Sequence, residues 1–188
     1  MIPKNKILRM IKNMGGIIPP LYTTNEMESN TSVKFYIGKD TCFNTHNYIN
    51  GLLFKHIYVS DNAIGPYLHY ANTHVLNIPL QNSESTNILL GYAIIDKIKS
   101  LNMAIKTDSI DSKKITYLIH KLNELTRAIE KLKISYIQNK LTMNTIGINN
   151  KNQVLLMEPK YIIFNNDMFD ENMKTFNDIK HSLKHFND

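Results

Sequence analysis

The chain has 188 residues, 43% of them hydrophobic, which is enough to bury a core without staples; its single cysteine excludes an internal disulfide and a four-thiolate zinc site. Its 22 basic residues outweigh 16 acidic ones for a formal charge of +6. Only Arg9 and Arg127 are arginine, however, and no lysine run exceeds two, so the clustered basic footprint of a nucleic-acid binder is missing.

In chain order, residues 2–14 are either a short helix or an extended lead-in, with Ile7, Leu8 and Ile11 on one edge and Gly15-Gly16 as the stop. Residues 17–22 are extended, because Pro19 and Pro20 each disfavour helix at the residue before them. Residues 23–31 read as a polar turn. SVKFYI at 32–37 alternates as a strand does, Lys34 toward one face and Val33, Phe35 and Ile37 toward the other. A helix is expected over 44–58 through Tyr48, Leu52, Leu53 and Ile57, weakened at Gly51. A turn region at 59–66 leads to two strands, 67–70 and 74–78, separated by Ala71-Asn72-Thr73. Residues 79–86 read as a linker. Residues 87–101 read as a second helix with Leu90, Ile94, Ile95 and Ile98 on one face, and 103–109 as a loop.

The strongest helical pattern follows at 112–133, where Ile115, Leu118, Ile119, Leu122, Leu125, Ile129 and Leu132 form one apolar stripe. Asp111 or Ser112 caps its start, and Lys131 and Lys133 suit its negative end. Residues 134–144 carry polar groups too dense to bury, which predicts a surface loop. Short strands at 145–148 and 154–157 are hinged at Asn149-Asn150-Lys151-Asn152, as in a hairpin with a four-residue loop. The tail is acidic at Asp167, Asp170 and Glu171, then amphipathic through Met173, Phe176, Ile179 and Leu183. The class is α+β, with a strand-rich part at 1–81 and a helical part at 82–188 forming one compact unit.

Several chemistries find no footing in this pattern. There is no G-x-S-x-G elbow and no G-x-x-x-x-G-K-[ST] phosphate loop. His181 and His185 share a helix face at zinc-ligand spacing but lack a third ligand nearby in sequence. Cys42 reads as a small hydrophobe in a reducing compartment. No apolar run approaches the ~18 residues of a membrane span, and the basic N-terminus lacks the apolar core of a cleaved signal, so a cytoplasmic location is expected. The informative cluster is Asn139, Asn144 and Glu158, which can converge at one end of the late hairpin. Oxygen donors so placed suit a metal–phosphate site; the alternative is that the two asparagines merely close turns.

The order of elements from Leu132 to Glu158 resembles the catalytic segment of protein kinases: a long helix, the H-x-D-x-x-x-x-N loop, a hairpin, then D-F-G. On that resemblance Ile137-Gln138-Asn139 stands where the family has His-x-Asp, Asn144 on the metal-binding asparagine, and Met157-Glu158-Pro159 on D-F-G. Lys34 is similar to the strand lysine that holds phosphates, and Gly15-Gly16 to a worn glycine loop. The short stretch after Glu158 resembles the truncated effector kinases that enteric pathogens inject into host cells, whose final helix is similar to Asn177-Asp178-Ile179-Lys180-His181-Ser182-Leu183. The resemblance implies a minimal two-lobe kinase-like fold with a strand-rich N-terminal lobe and a truncated helical C-terminal lobe. Gly15, Gly16, Lys34 and Asn144 would hold ATP, and Asn144 and Glu158 would hold Mg²⁺ or Mn²⁺.

The departures shape the functional expectation. Asn139 is an amide and cannot accept a substrate proton, and residues 41–60 contain no carboxylate to pair with Lys34. A pseudokinase is therefore expected, of viral or pathogen origin, engaging a host or partner protein in the cytosol. The alternatives are an active divergent Ser/Thr-type kinase and an unrelated α+β viral protein that binds protein or nucleic acid.

Overall fold

The computed structural model describes residues 22–27, 30–40, 43–79, 85–107, 111–137 and 139–187. Gly15, Gly16, Cys42 and the expectations for residues 2–21 lie outside them. The chain divides into two compact units, Met1–Phe54 with Leu68–Ile95, and Lys55–Tyr67 with Asp96–Asp188.

The first unit is a four-stranded sheet with one helix on it. Its strands are β1 (Tyr22–Met27), β2 (Thr31–Lys39), β3 (Leu68–Pro79) and β4 (Ser85–Asp96), in the order β1-β2-β4-β3. β1 pairs antiparallel with β2 from Tyr22↔Ile37 to Met27↔Ser32, so most of the expected 23–31 turn is strand. β3 pairs antiparallel with β4 from Leu68↔Ile95 to Pro79↔Ser85, and the two short strands expected here are one strand with an irregularity between Leu68 and Tyr70.

The helix expected at 87–101 is in fact β4, followed by β5 (Lys99–Ser100). The cause lies in its place in the sheet. β4 runs between β2 and β3, and Ile88, Leu89, Leu90, Ala93 and Ile95 are all buried. An interior strand covered on both faces loses its alternation and becomes an apolar run that imitates a helix.

α1 (Phe43–Asp61) confirms the expected helix and runs unbroken through the exposed Gly51. Its residues Ile49, Leu52 and Leu53 pack on Tyr36, Leu89, Ala93 and Ile95. Gly91 is what lets the helix approach: a β-carbon there would stand 2.3 Å from Ile49 Cγ2. Tyr36 lies on the helix-covered face, so strand alternation puts Lys34 on that face and Val33, Phe35 and Ile37 on the other. All five are buried.

The second unit is organised around α3 (Ser112–Leu132), the helix most legible in the sequence. Ile115, Leu118, Leu122, Leu125 and Ile129 are buried, with Ile119 and Leu132 packed at the margin. Each buried aliphatic side chain contributes roughly 1.5–3 kcal/mol of transfer free energy. The Asp111 carboxylate accepts the Lys114 N–H at 2.7 Å, which caps the start. At the other end Lys133 adopts φ 52°, and the Ile134 N–H reaches the Ile129 carbonyl at 3.4 Å, which closes the helix in a Schellman-type turn.

Around α3 stand α2 (Leu101–Thr107), β6 (Ser135–Tyr136), β7 (Ile146–Ile148), β8 (Val154–Leu156), a 3₁₀ turn (Pro159–Tyr161), β9 (Ile162–Ile163) and α4 (Phe169–Lys184). β5-β7-β8 form one small sheet and β6-β9 another. α2 occupies most of the expected 103–109 loop. α4 is the predicted amphipathic helix; Phe176, Ile179 and Leu183 bury against the α3 core, and Asp170 and Glu171 sit in its first turn. Among the described residues, no helix is long and apolar enough to cross a membrane.

Candidate functional site

The β7–β8 hairpin positions the candidate residues of the second unit. Its ladder runs Ile146↔Leu156 to Ile148↔Val154, and the Met157 N–H extends it to the Thr145 carbonyl at 2.8 Å. Asn144 and Glu158 are thus the next residues outward on the two strands. Gly147 leaves room for both Met157 and β5: a β-carbon there would stand 2.7 Å from Met157 Cγ and 3.0 Å from the Lys99 carbonyl.

The loop before β7 is held by threonines. Thr145 Oγ1 donates to the Lys140 carbonyl at 2.7 Å and accepts the Thr142 N–H at 2.9 Å. Asn139 sits on an exposed turn at φ 59°, with the Lys140 N–H returning to the Ile137 carbonyl at 3.0 Å. Left-handed backbone is a conformation asparagine tolerates better than most residues. Asn144 Oδ1 accepts from Asn102 Nδ2 of α2 at 2.9 Å.

The segment after β8 is pinned at nearly every residue. The Glu158 carbonyl accepts from the Tyr136 hydroxyl at 2.9 Å and from the Tyr161 N–H at 3.1 Å. The Glu158 carboxylate lies 3.7 Å from Lys160 Nζ, and that ammonium sits 5.0 Å from the Tyr161 ring centroid. Lys140 approaches the same ring at 5.9 Å. Lys55 of α1 donates to the Lys160 carbonyl at 3.2 Å, and burial pushes its pKa below the usual lysine value.

Tyr136 is the pivot of this arrangement. It is buried, and burial, then the Glu158 charge, push its pKa well above the ordinary phenol. Its backbone is clamped by Asn172 of α4: the Tyr136 N–H donates to Asn172 Oδ1 at 2.7 Å, and Asn172 Nδ2 donates to the Tyr136 carbonyl at 3.0 Å. Ser135 Oγ donates to the Asn165 carbonyl at 2.6 Å. These partners overturn the expectation that residues 134–136 belong to a surface loop, because every polar group that β6 carries inward is hydrogen-bonded. Asn172 itself was not a sequence candidate. The signal was present: it occupies the apolar stripe of α4, four residues before Phe176, where a polar residue calls for a buried partner.

No family model matches the chain, and no curated protein matches it. Solved structures do match, among them the following two. One is a divergent kinase lacking the glycine-rich loop, from Toxoplasma, with a TM-score of 0.56 at 8% identity over 98% of this chain and 72% of that one. The other is WbdD in complex with the kinase inhibitor LY294002, with a TM-score of 0.48 at 12% identity over 86% of this chain. This chain spans 37% of the WbdD chain. The fold is protein-kinase-like. The likeness is one of fold alone; it bears out the resemblance drawn from element order and leaves the residues to be judged one by one.

Within the kinase-like fold, Lys34 stands on β2 opposite Asn25 of β1 and is 6% exposed. α1 follows it without a glutamate, and its one carboxylate, Asp61, is its last residue. Near the helix start, His46 Nε2 instead meets Asp40 at 2.5 Å. In the second unit Asn144 and Glu158 flank the same hairpin end, as expected. Their oxygens are of the hard type that Mg²⁺ or Mn²⁺ prefers. Each already has a protein partner, however, Asn102 for the amide oxygen and Lys160 for the carboxylate. Among the described residues, no three His, Cys, Asp or Glu side chains gather as a metal group, and His181 and His185, rings 4.4 Å apart, remain a pair.

Proposed function

We propose that this chain is a pseudokinase of viral or pathogen origin, a kinase-like scaffold that engages a partner protein in the cytosol and transfers no phosphate. The observation that carries the reading is Asn139. On the kinase resemblance it falls where the family has its catalytic base, and a carboxamide has no oxygen basic enough to take a proton from a substrate hydroxyl. Two further features favour the same reading: α1 offers Lys34 no glutamate, and Glu158 faces Lys160. A nucleotide held by Lys34, Asn144 and Glu158 with Mg²⁺ or Mn²⁺ would stabilise the fold without being turned over. The similar Toxoplasma protein, a divergent kinase, is described as regulating the membrane ultrastructure of the parasitophorous vacuole. A regulatory task for a divergent kinase-like protein in a pathogen has at least that parallel.

The test is thermal unfolding with ATP or ADP and either metal, run beside radiolabel transfer. A ligand at 100 times its Kd adds about 2.7 kcal/mol, which raises the midpoint of a domain this size by several degrees. The expected outcome is at most a small shift, reduced in Lys34→Ala and Glu158→Ala, with no label transferred. Label transfer that disappears in Lys34→Ala would overturn the reading in favour of an active divergent Ser/Thr-type kinase.

A further inference from the structure

A polar groove lies between α3 and α4, and none of its lining residues belongs to the hairpin cluster. Its volume is about 350 Å³, and it is lined by Ile119 and Asn123 of α3 and by Asn177, Lys180, His181 and Lys184 of α4. That size falls within the range of small-ligand sites. No lining residue is a carboxylate. Glu124, the neighbour of Asn123 in sequence, is held by Lys121 at 2.7 Å and approached by His120 at 3.5 Å.

Cations near the end of a helix have a plain explanation in the helix dipole, and Lys184 satisfies it. Lys180 calls for more. It lies a full turn earlier and is turned across the groove, where its ammonium donates to Asn123 Oδ1 at 3.0 Å. Partial burial, then the nearby Lys184 ammonium, hold its pKa below the usual lysine value. Two like charges thus converge on a groove whose other polar groups are two carboxamides and an imidazole. With Asn123 Oδ1 engaged by Lys180, the Nδ2 group of Asn123 remains as a neutral donor.

We propose that this groove binds a phosphate-type dianion, either inorganic phosphate or the phosphoryl group of a monoester. Lys180 and Lys184 would supply the charge, and His181, Asn123 and Asn177 directional hydrogen bonds. The dianion removes the mutual repulsion of the two ammonium groups and replaces the water that burial takes from Lys180. This site stands independently of the pseudokinase reading, since none of its residues belongs to the hairpin cluster.

The experiment is a titration of the full chain with sodium phosphate and, separately, with O-phosphoserine, at constant ionic strength set by sodium chloride. Amide and side-chain NMR signals of Asn123, Asn177 and His181 are followed. Saturable shifts are expected in the wild type, weakened about tenfold or more in a Lys180→Met/Lys184→Gln double variant. Lys184 is exposed, so Lys184→Gln alone, expected to weaken binding several-fold, carries the test should the double variant not fold. Tighter binding of phosphoserine assigns the site to a phosphorylated partner, and equal binding assigns it to free phosphate. Shifts that do not saturate, or an affinity unchanged in the folded variants, would overturn the proposal.

Discussion

At its turn, the β7–β8 hairpin is closed by its own residues. Asn149 Oδ1 accepts the N–H groups of Lys151 and Gln153 at 3.0 and 2.9 Å, and Asn152 takes the left-handed conformation at φ 59°. Five residues, 149–153, separate the strands, and the Asn149 N–H donates to the Gln153 carbonyl at 3.2 Å, which narrows the turn to 150–152. At the open end the partners come from far along the chain: Asn102 for Asn144, Tyr136 for Glu158, Thr145 for Met157. Both ends are rich in asparagine, so composition does not tell them apart. The sequence separation of their hydrogen-bond partners does. A turn that satisfies itself within five residues shapes only itself, whereas the open end gathers α2, the 137–145 loop, β6 and the post-β8 segment into one place.

The sharpest way to break this contrast is Asn172→Ala. It strands the buried N–H and C=O of Tyr136, at a cost of roughly 2–4 kcal/mol in urea unfolding. Protection of the Ile137 and Tyr161 amides against hydrogen exchange should fall with it. Wild-type protection of both amides in the variant would show that the clamp does not hold the site.

A smaller loss, about 1–2 kcal/mol at neutral pH, is expected for Tyr136→Phe, which removes the hydroxyl donated to Glu158. This variant also carries a pH signature. The folded pKa of Tyr136 is raised, so its contribution is fully present below the unfolded value of about 10. Above that pH the unfolded chain releases the proton first, and stability falls as pH rises, by up to about 1.4 kcal/mol per unit. Tyr136→Phe should flatten that alkaline decline without abolishing it, because Tyr92, also shifted upward by burial, remains. An unchanged slope would mean that the Tyr136 hydroxyl is not sequestered.

Asn149→Ala is the smallest effect, about 0.5–1 kcal/mol, because its partners lie on an exposed turn and can bond water instead. Hydrogen exchange at the open end should be unaffected. Loosening there as well would erase the distinction between the two ends.

Much of the second unit was legible in the sequence because its elements are one-sided. α3 and α4 each show an apolar stripe, and the short hairpin shows its asparagine hinge. The first unit hid more. β4 is covered on both faces and lost the period of two, while β1 is polar enough to pass for a turn. In the candidate site, the expectations for Asn139, Asn144 and Glu158 came from their order along the chain. Tyr136 and Asn172 carried no such expectation, since a buried amide and a buried phenol look like solvated ones until the partner across the fold is known. Lys160 escaped for a related reason: its significance comes from facing Glu158, two residues away, across a 3₁₀ turn that opens with Pro159.

The Asn172 clamp also has a consequence for biosynthesis. Its bonds to Tyr136 span 36 positions, whereas α3 and the β7–β8 hairpin are assembled from neighbours. Closing a long loop costs chain entropy before any contact repays it, so local elements form first and this closure follows. On the ribosome, where folding proceeds from the N-terminal side, β9 can pair with one edge of β6 early, but the Tyr136 N–H and C=O face water until Asn172 of α4 has emerged. That second edge of β6 stays open to chaperones, or to another chain's strand, until α4 is made.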